Sequence, residues 1–199
     1  SPHPQWALRE QVAFFGPGGA TAFALSGLDM AIEDLRCRRR GHSLATALGK
    51  VRDEVRAYRT GLMLGTSAAN LVDEAKAIYA GGVRAIKMIV GKPSVAEDVE
   101  RIRGVREALP VDAVLMVDAL GRWTVPSALR AAEAFSDLGL VWLEDPLDHR
   151  DVAGYRMLAA RSPVPIATGE ALFCVEDFRV LLDGGIPYVV GELERVGGF

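Results

Sequence analysis

The feature that most constrains this chain is an alternation of short apolar runs with amphipathic stretches between residues 54 and 194. EVRAYRTGLM, VRAIKMIV, AVLMVD, LVWLED, PIATGE and PYVVGELE read as strands, being short, apolar and bounded by turn residues. Between them AANLVDEAKAIYAGG, SVAEDVERIRGVREAL, VPSALRAAEAFSDLG, DVAGYRMLAARS and VEDFRVLLDGG space their apolar residues as helices do. Strands alternating with helices predict parallel βα units, hence an α/β fold. Units of roughly 25 to 30 residues suit either a doubly wound sheet or a (β/α) TIM-type barrel. No GxGxxG or GxxxxGK[ST] follows the first strand, which weighs against a nucleotide-binding sheet.

The acids at the strand ends favour the barrel. Asp118 closes LMVD, Glu144 closes WLE and Glu170 closes ATGE, with 26 residues between successive acids. Three successive parallel strands then present three carboxylates at one height on the C-terminal face, where a barrel keeps its active site. Any one of these acids alone is better read as a helix cap or a solvated loop residue. Three at equal spacing repel one another and would force up at least one pKa. A hard divalent cation such as Mg²⁺ resolves that, because it prefers oxygen ligands and keeps positions open for substrate. Lys87, late in AIKMIVG, points towards the same centre. Alone it reads equally as a lysine snorkelling out of the sheet; beside the acids it reads as the partner of an anionic substrate. Asp145 has no counterpart after the other acids and reads as a brace for the metal's surroundings or the loop, with Pro146 fixing the chain's exit.

The rest of the chain excludes more than it specifies. A formal charge of −3 over 199 residues leaves no electrostatic footprint for nucleic acid. Arg36, Arg38, Arg39 and Arg40 read as a solvated helix end. No apolar run approaches the roughly 20 residues of a membrane span, and SPHPQWALRE lacks the charged start and apolar core of a signal peptide. It also lacks an initiator Met, so the chain reads as processed or as an excerpt. Cys37 and Cys174 are far apart and suit reduced thiols in a cytoplasmic protein. Residues 21–48 predict a helical segment with Leu25, Leu28, Ile32 and Leu35 on its apolar face and a stop at Gly41. GPGGA before it predicts a turn.

WLEDP, ATGE and RVGG, together with the strand-end spacing, resemble the enolase superfamily, in particular the mandelate racemase and muconate lactonizing enzyme group that includes acid-sugar dehydratases. The resemblance runs through nearly the whole chain. It implies that residues 1–52 are the closing helices of a capping domain and that 53–199 form part of a modified (β/α)₇β barrel, strands one to six. It also implies Mg²⁺ held by Asp118, Glu144 and Glu170, with Asp145 and Arg195 supporting the site. In the family a Lys-x-Lys pair closes strand two; here it is Lys87-Met88-Ile89, so the anion partner is present and the second base is not. The family's Asp-x-Asn is Asp118-Ala119-Leu120, and the strand-six acid that orients a catalytic histidine corresponds to Glu192. The lysine of the lactonizing branch is missing from that strand. Strands seven and eight, with the histidine, are expected beyond Phe199; His3, His42 and His149 match no such position, and His149 reads as an exposed loop residue.

The activity implied is removal of the proton next to a carboxylate, with metal and lysine stabilising the charge that develops. Racemising both enantiomers needs a base on each face, and Ile89 removes one; dehydration needs only one. The expected function is therefore dehydration of a small acid sugar, a lyase, with racemisation as the alternative isomerase. For the partial chain alone little turnover is expected. Bare edges on strands one and six imply association into homo-oligomers. A non-catalytic metal- or carboxylate-binding relative and a plain α/β domain with capping acids also remain open.

Overall fold

The computed structural model describes residues 4–16 and 18–199, so His3 and the Pro17 step of GPGGA lie outside the described residues. The chain divides into two compact units, one of residues 1–55, 169–179 and 190–199, the other of residues 56–168 and 180–189.

The second unit holds the sheet. Its strands are β1 (Arg59–Gly61), β2 (Ala85–Ile89), β3 (Val114–Asp118), β4 (Leu140–Glu144), β5 (Ile166–Thr168) and β6 (Tyr188–Val189). They are hydrogen-bonded in sequence order, β1 to β6, and every pair is parallel. An order without reversal has no switch point, which separates the (β/α) barrel arrangement from the doubly wound one. The helices between strands are α4 (Ala68–Ala80), α5 (Val95–Ala108), α6 (Val125–Phe135), α7 (Val152–Arg161) and α8 (Val175–Asp183).

Apart from Lys87 and the closing acids Asp118 and Glu144, the central strands are apolar, as covering of both faces requires: Ile86, Met88, Leu115, Met116, Val117, Leu143 and Ile166 are all buried. The helices start where side chains can accept their orphan N–H groups. Ser67 accepts from Asn70 N at 3.3 Å ahead of α4, and Asp151 from Gly154 N at 2.9 Å ahead of α7. The outer strands are shorter than their sequence suggests. β1 keeps only Arg59–Gly61 of EVRAYRTGLM, and β6 only Tyr188–Val189 of PYVVGELE. Each pairs on one side alone among the described residues, so fewer ladder bonds extend it.

One irregularity matters below. Leu115 pairs with Leu140 but Val117 with Leu143, so β4 carries one more residue than β3 over that interval. This is a β-bulge.

The first unit is helical: α1 (Pro4–Val12), a 3₁₀ turn over Ala13–Phe15, α2 (Gly19–Arg40) and α3 (Leu44–Ala47). α2 ends at Gly41 in a left-handed conformation, φ 67°, which suits glycine. The expected apolar face of α2 is corrected here: Leu28 is 50% and Leu35 51% exposed, while Ala22, Ser26 and Asp29 are buried. The reason is hydrogen bonding to the C-terminal segment. Gly197 N donates to Ser26 Oγ at 2.9 Å and Phe199 N to Asp29 Oδ2 at 2.6 Å. A face of small and polar residues admits that backbone where leucines would hold it off. Cys37 and Cys174 are both free thiols. Among the described residues no helix is long and apolar enough to cross a membrane.

Candidate active site

Three of the singled-out side chains meet at the C-terminal ends of β2, β3 and β4. Asp118 pairs in register with Glu144 and, on its other side, with Ile89. Lys87 is two residues before Ile89, on the same face of β2. From there its Nζ reaches Glu144 Oε1 at 2.5 Å and Asp118 Oδ2 at 3.1 Å. All three are withdrawn from solvent, Lys87 to 6%, Asp118 to 2% and Glu144 to 0% exposure.

The second oxygen of each carboxylate also has a donor. Trp142 Nε1–H donates to Glu144 Oε2 at 2.8 Å, and the Leu120 N–H to Asp118 Oδ1 at 2.9 Å. Trp142 is two residues before Glu144 on one strand face, a spacing visible in the sequence but not weighed there. Its ring stacks edge-on with Tyr58, centroids 5.8 Å apart, and at a tilt with Tyr188, 5.2 Å apart. Tyr58 lies beneath the ammonium, with Lys87 Nζ 5.6 Å from its ring centre, close enough for a cation–π attraction. Tyr58, Trp142 and Tyr188 thus form an aromatic wall beside the charged cluster.

Burial pulls the Lys87 ammonium towards neutrality, but its hydrogen bond to Glu144 and the charges of Glu144 and Asp118 outweigh that and push its pKa up. Lys87 is a fixed cation. Burial likewise raises the pKa of Glu144, with Lys87 pulling it back. Two buried carboxylates against one buried ammonium leave a net negative charge, and the available ligand atoms are all hard oxygens. That donor set suits a divalent cation of the Mg²⁺ type.

Asp145 follows β4 with φ 38°, a left-handed conformation that Asp tolerates better than most residues. Its N–H donates to the Ala167 carbonyl at 2.9 Å, and Thr168 Oγ1–H donates to its Oδ1 at 2.5 Å. Nearby, buried Tyr155 donates to the Leu147 carbonyl at 2.8 Å. Burial and then the Asp145 charge push the Tyr155 phenol well above its usual range.

Asp98 and Arg101 were missed in the sequence, where they lie among the other charges of SVAEDVERIRGVREAL. Both are buried on α5. Asp98 Oδ2 accepts from the Gly91 and Lys92 N–H groups at 2.8 and 2.9 Å, while Arg101 donates to Asp98, to the Ile89 carbonyl and to the Met63 carbonyl at 3.0, 3.1 and 3.1 Å. The pair ties together the chain leaving β1 and β2, which sets where Lys87's strand ends.

Glu170, Glu192 and Arg195 belong to the first unit. Glu170 follows Thr168, the end of β5, by two positions and is half-buried. Glu192 lies past the end of β6 rather than on it, and its carbonyl accepts from Arg195 N at 2.9 Å. The Arg195 guanidinium lies over the Phe23 and Phe173 rings, 5.3 and 5.9 Å from their centres. His149 is exposed in a turn beside Asp148.

Residues 70–199 match the family model described as enolase C-terminal domain-like. The L-talarate/galactarate dehydratase of Salmonella typhimurium is 37% identical over 188 residues, covering 94% of this chain and 47% of that protein. The 3,6-anhydro-alpha-L-galactonate cycloisomerase of Streptomyces coelicolor is 36% identical over 187 residues, covering 94% and 52% respectively. The crystal structure of L-talarate dehydratase from Polaromonas sp. JS666, complexed with Mg and L-glucarate, superposes with a TM-score of 0.91 at 38% identity. That match covers 98% of this chain and 55% of the solved one. The chain spans about half the length of the curated relatives it matches.

Proposed function

Because this chain belongs to the enolase superfamily, in its enolase C-terminal domain-like family, we propose that it carries the metal- and carboxylate-binding part of a Mg²⁺-dependent acid-sugar dehydratase. The observation that carries this reading is the buried Lys87–Asp118–Glu144 cluster at three adjacent strand ends. In this reading residues 1–52 belong to a capping domain and 53–199 to the barrel. Asp118 and Glu144 would hold the ion, with Glu170 the third ligand that the family resemblance implies. Bound there, Mg²⁺ supplies charge stabilisation as the substrate carboxylate gains electron density.

The chain's own residues do the rest of the binding. Lys87 offers its ammonium to the substrate carboxylate from the strand next to that of Asp118. Trp142 holds the Glu144 carboxylate in one orientation, Asp145 and Arg195 brace the surroundings, and Glu192 orients a histidine base. The α-proton leaves to that base, and the C–H electron pair moves into the carboxylate. The pair then returns to form the carbon–carbon double bond as the β-hydroxyl departs with a proton as water. Ile89 carries no ionisable group, so only one face of the substrate has a base. That favours elimination over racemisation.

Titration calorimetry with Mg²⁺ tests the reading. Saturable binding that Glu144→Gln abolishes is expected; no binding heat in the unsubstituted protein refutes it. In a protein that also supplies the histidine strand, formation of a 3-deoxy-2-keto acid from talarate or galactarate, without exchange of the α-proton in both enantiomers of one acid, tests the chemistry. The likeness to a cycloisomerase supports a second reading, distinguished by a product that has lost no water.

A further inference from the structure

Every oxygen of Asp118 and Glu144 already has a positive partner: Lys87 hydrogen-bonds Glu144 Oε1 and pairs ionically with Asp118 Oδ2 at 3.1 Å, and the Trp142 and Leu120 N–H groups hold the other two. A carboxylate oxygen has about two lone-pair sites, so a cation can still be accepted. It would then share both carboxylates with a fixed, buried positive charge. Lys87 is 6% exposed, and solvent does little to screen that repulsion.

We propose that Lys87 is an internal counter-ion that sets the cation affinity of Asp118 and Glu144, and that a substrate carboxylate relieves its repulsion of the metal, so that divalent cation and carboxylate bind cooperatively. The inference rests on the metal reading above and extends it to the order and coupling of binding. Three features carry it. Nζ has three N–H donors, of which one is spent in a hydrogen bond to Glu144 Oε1 while the ammonium also pairs ionically with Asp118, so it can still donate to an incoming anion. The Trp142 and Leu120 donors are neutral and hold the outer oxygens, so the carboxylates stay oriented when Lys87 turns towards a ligand. The Tyr58 ring beneath Nζ favours keeping the ammonium charged in that position. The metal turns the net negative charge of the cluster positive, and a carboxylate placed against Nζ neutralises it. By linkage, the metal strengthens carboxylate binding by the same factor.

Calorimetry with MgCl₂, alone and with D-glucarate, reads this directly. Lys87→Met is expected to bind Mg²⁺ about tenfold tighter or more than the unsubstituted protein, as removal of one close like charge predicts. In the unsubstituted protein glucarate should tighten Mg²⁺ binding by about fivefold or more, and in Lys87→Met by a clearly smaller factor. Unchanged or weaker Mg²⁺ binding by Lys87→Met, beside normal binding by the parent, overturns the inference and leaves the metal site standing. No binding by either protein overturns both. Should Lys87→Met fail to fold, lysine-ammonium NMR on the parent protein decides. A shift of the shielded Lys87 signal on saturation with Mg²⁺ is expected, and an unmoved signal refutes the coupling.

Discussion

Replacing Asp98 with alanine tests how the strand ends are held. Asp98 is 0% exposed and accepts three charge-assisted hydrogen bonds, from Gly91, Lys92 and Arg101. Alanine removes both acceptor oxygens, and with them all three bonds, and leaves Arg101, 7% exposed, without a carboxylate. Hydrogen bonds to charged groups contribute about 1.5–3 kcal/mol each, but bonds sharing one carboxylate do not add. Breaking a buried ion pair costs about 3–5 kcal/mol in all, so the expected loss is about 4 kcal/mol. Against a total stability of about 5–15 kcal/mol the protein should remain folded but weakened. Equilibrium urea unfolding reads it: with m of about 2 kcal/mol/M the midpoint should fall by about 2 M at unchanged m. Adding Arg101→Met removes the orphaned charge, so the double variant should lose at least about 1 kcal/mol less than the two single losses combined. A midpoint shift under about 0.5 M, or strict additivity, would refute the claim that this pair clamps the chain leaving β1 and β2.

Four smaller outcomes are expected. Trp142→Phe keeps the ring wall but strips one donor from buried Glu144, and should lower thermal stability by about 1–3 kcal/mol; unchanged melting would refute the bond's importance. Tyr155→Phe should cost about 0.5–1.5 kcal/mol through loss of its bond to the Leu147 carbonyl, again read by thermal unfolding. Leu120 has φ 52° and is 43% exposed, so Leu120→Asn should raise the melting temperature by relieving about 1 kcal/mol of left-handed strain; a lower one refutes this. Arg150 holds the Asp148 carboxyl well below the usual carboxylate range, through its side-chain and backbone hydrogen bonds. A depressed folded pKa contributes stability that is present above the unfolded value near 3.9 and lost as pH falls through the folded one. NMR titration should find Asp148 still ionised at about pH 3, and Arg150→Ala should return its pKa towards about 3.9.

Much of the sheet was legible because buried parallel strands must be apolar along their whole length. LMVD and VWLE therefore show as runs that stop on an acid. Their equal spacing in the chain put Asp118 and Glu144 at one height, and the register confirms their pairing. Strand lengths at the edges were not legible, since Tyr188 and Val189 stay extended through a single neighbour while Glu192 lies beyond the ladder. Contacts set by third parties were illegible too. Lys87 reads as a lysine awaiting an anion, yet its nearest partners are the acids themselves. Arg101 reads as surface charge, yet it is spent on two strand-end carbonyls. On α2, periodicity pointed to the leucines, whereas a backbone arriving from residues 197–199 selected the small, polar side of the helix.

The extra residue in β4 gives that strand a parity that a simple count of residues hides. Had the pairing of Leu115 with Leu140 continued evenly, Asp118 would stand opposite Leu143, and Glu144 would point to the other side of the sheet. The acid reaches Lys87 only because β4 gains one residue on β3 before it arrives. One residue lost between Leu140 and Leu143 would only even out the pairing and leave Glu144 opposite Asp118, whereas one residue gained there, with the bulge kept, exchanges a carboxylate for an isobutyl group at the heart of the cluster. Within this strand an insertion acts as an inversion.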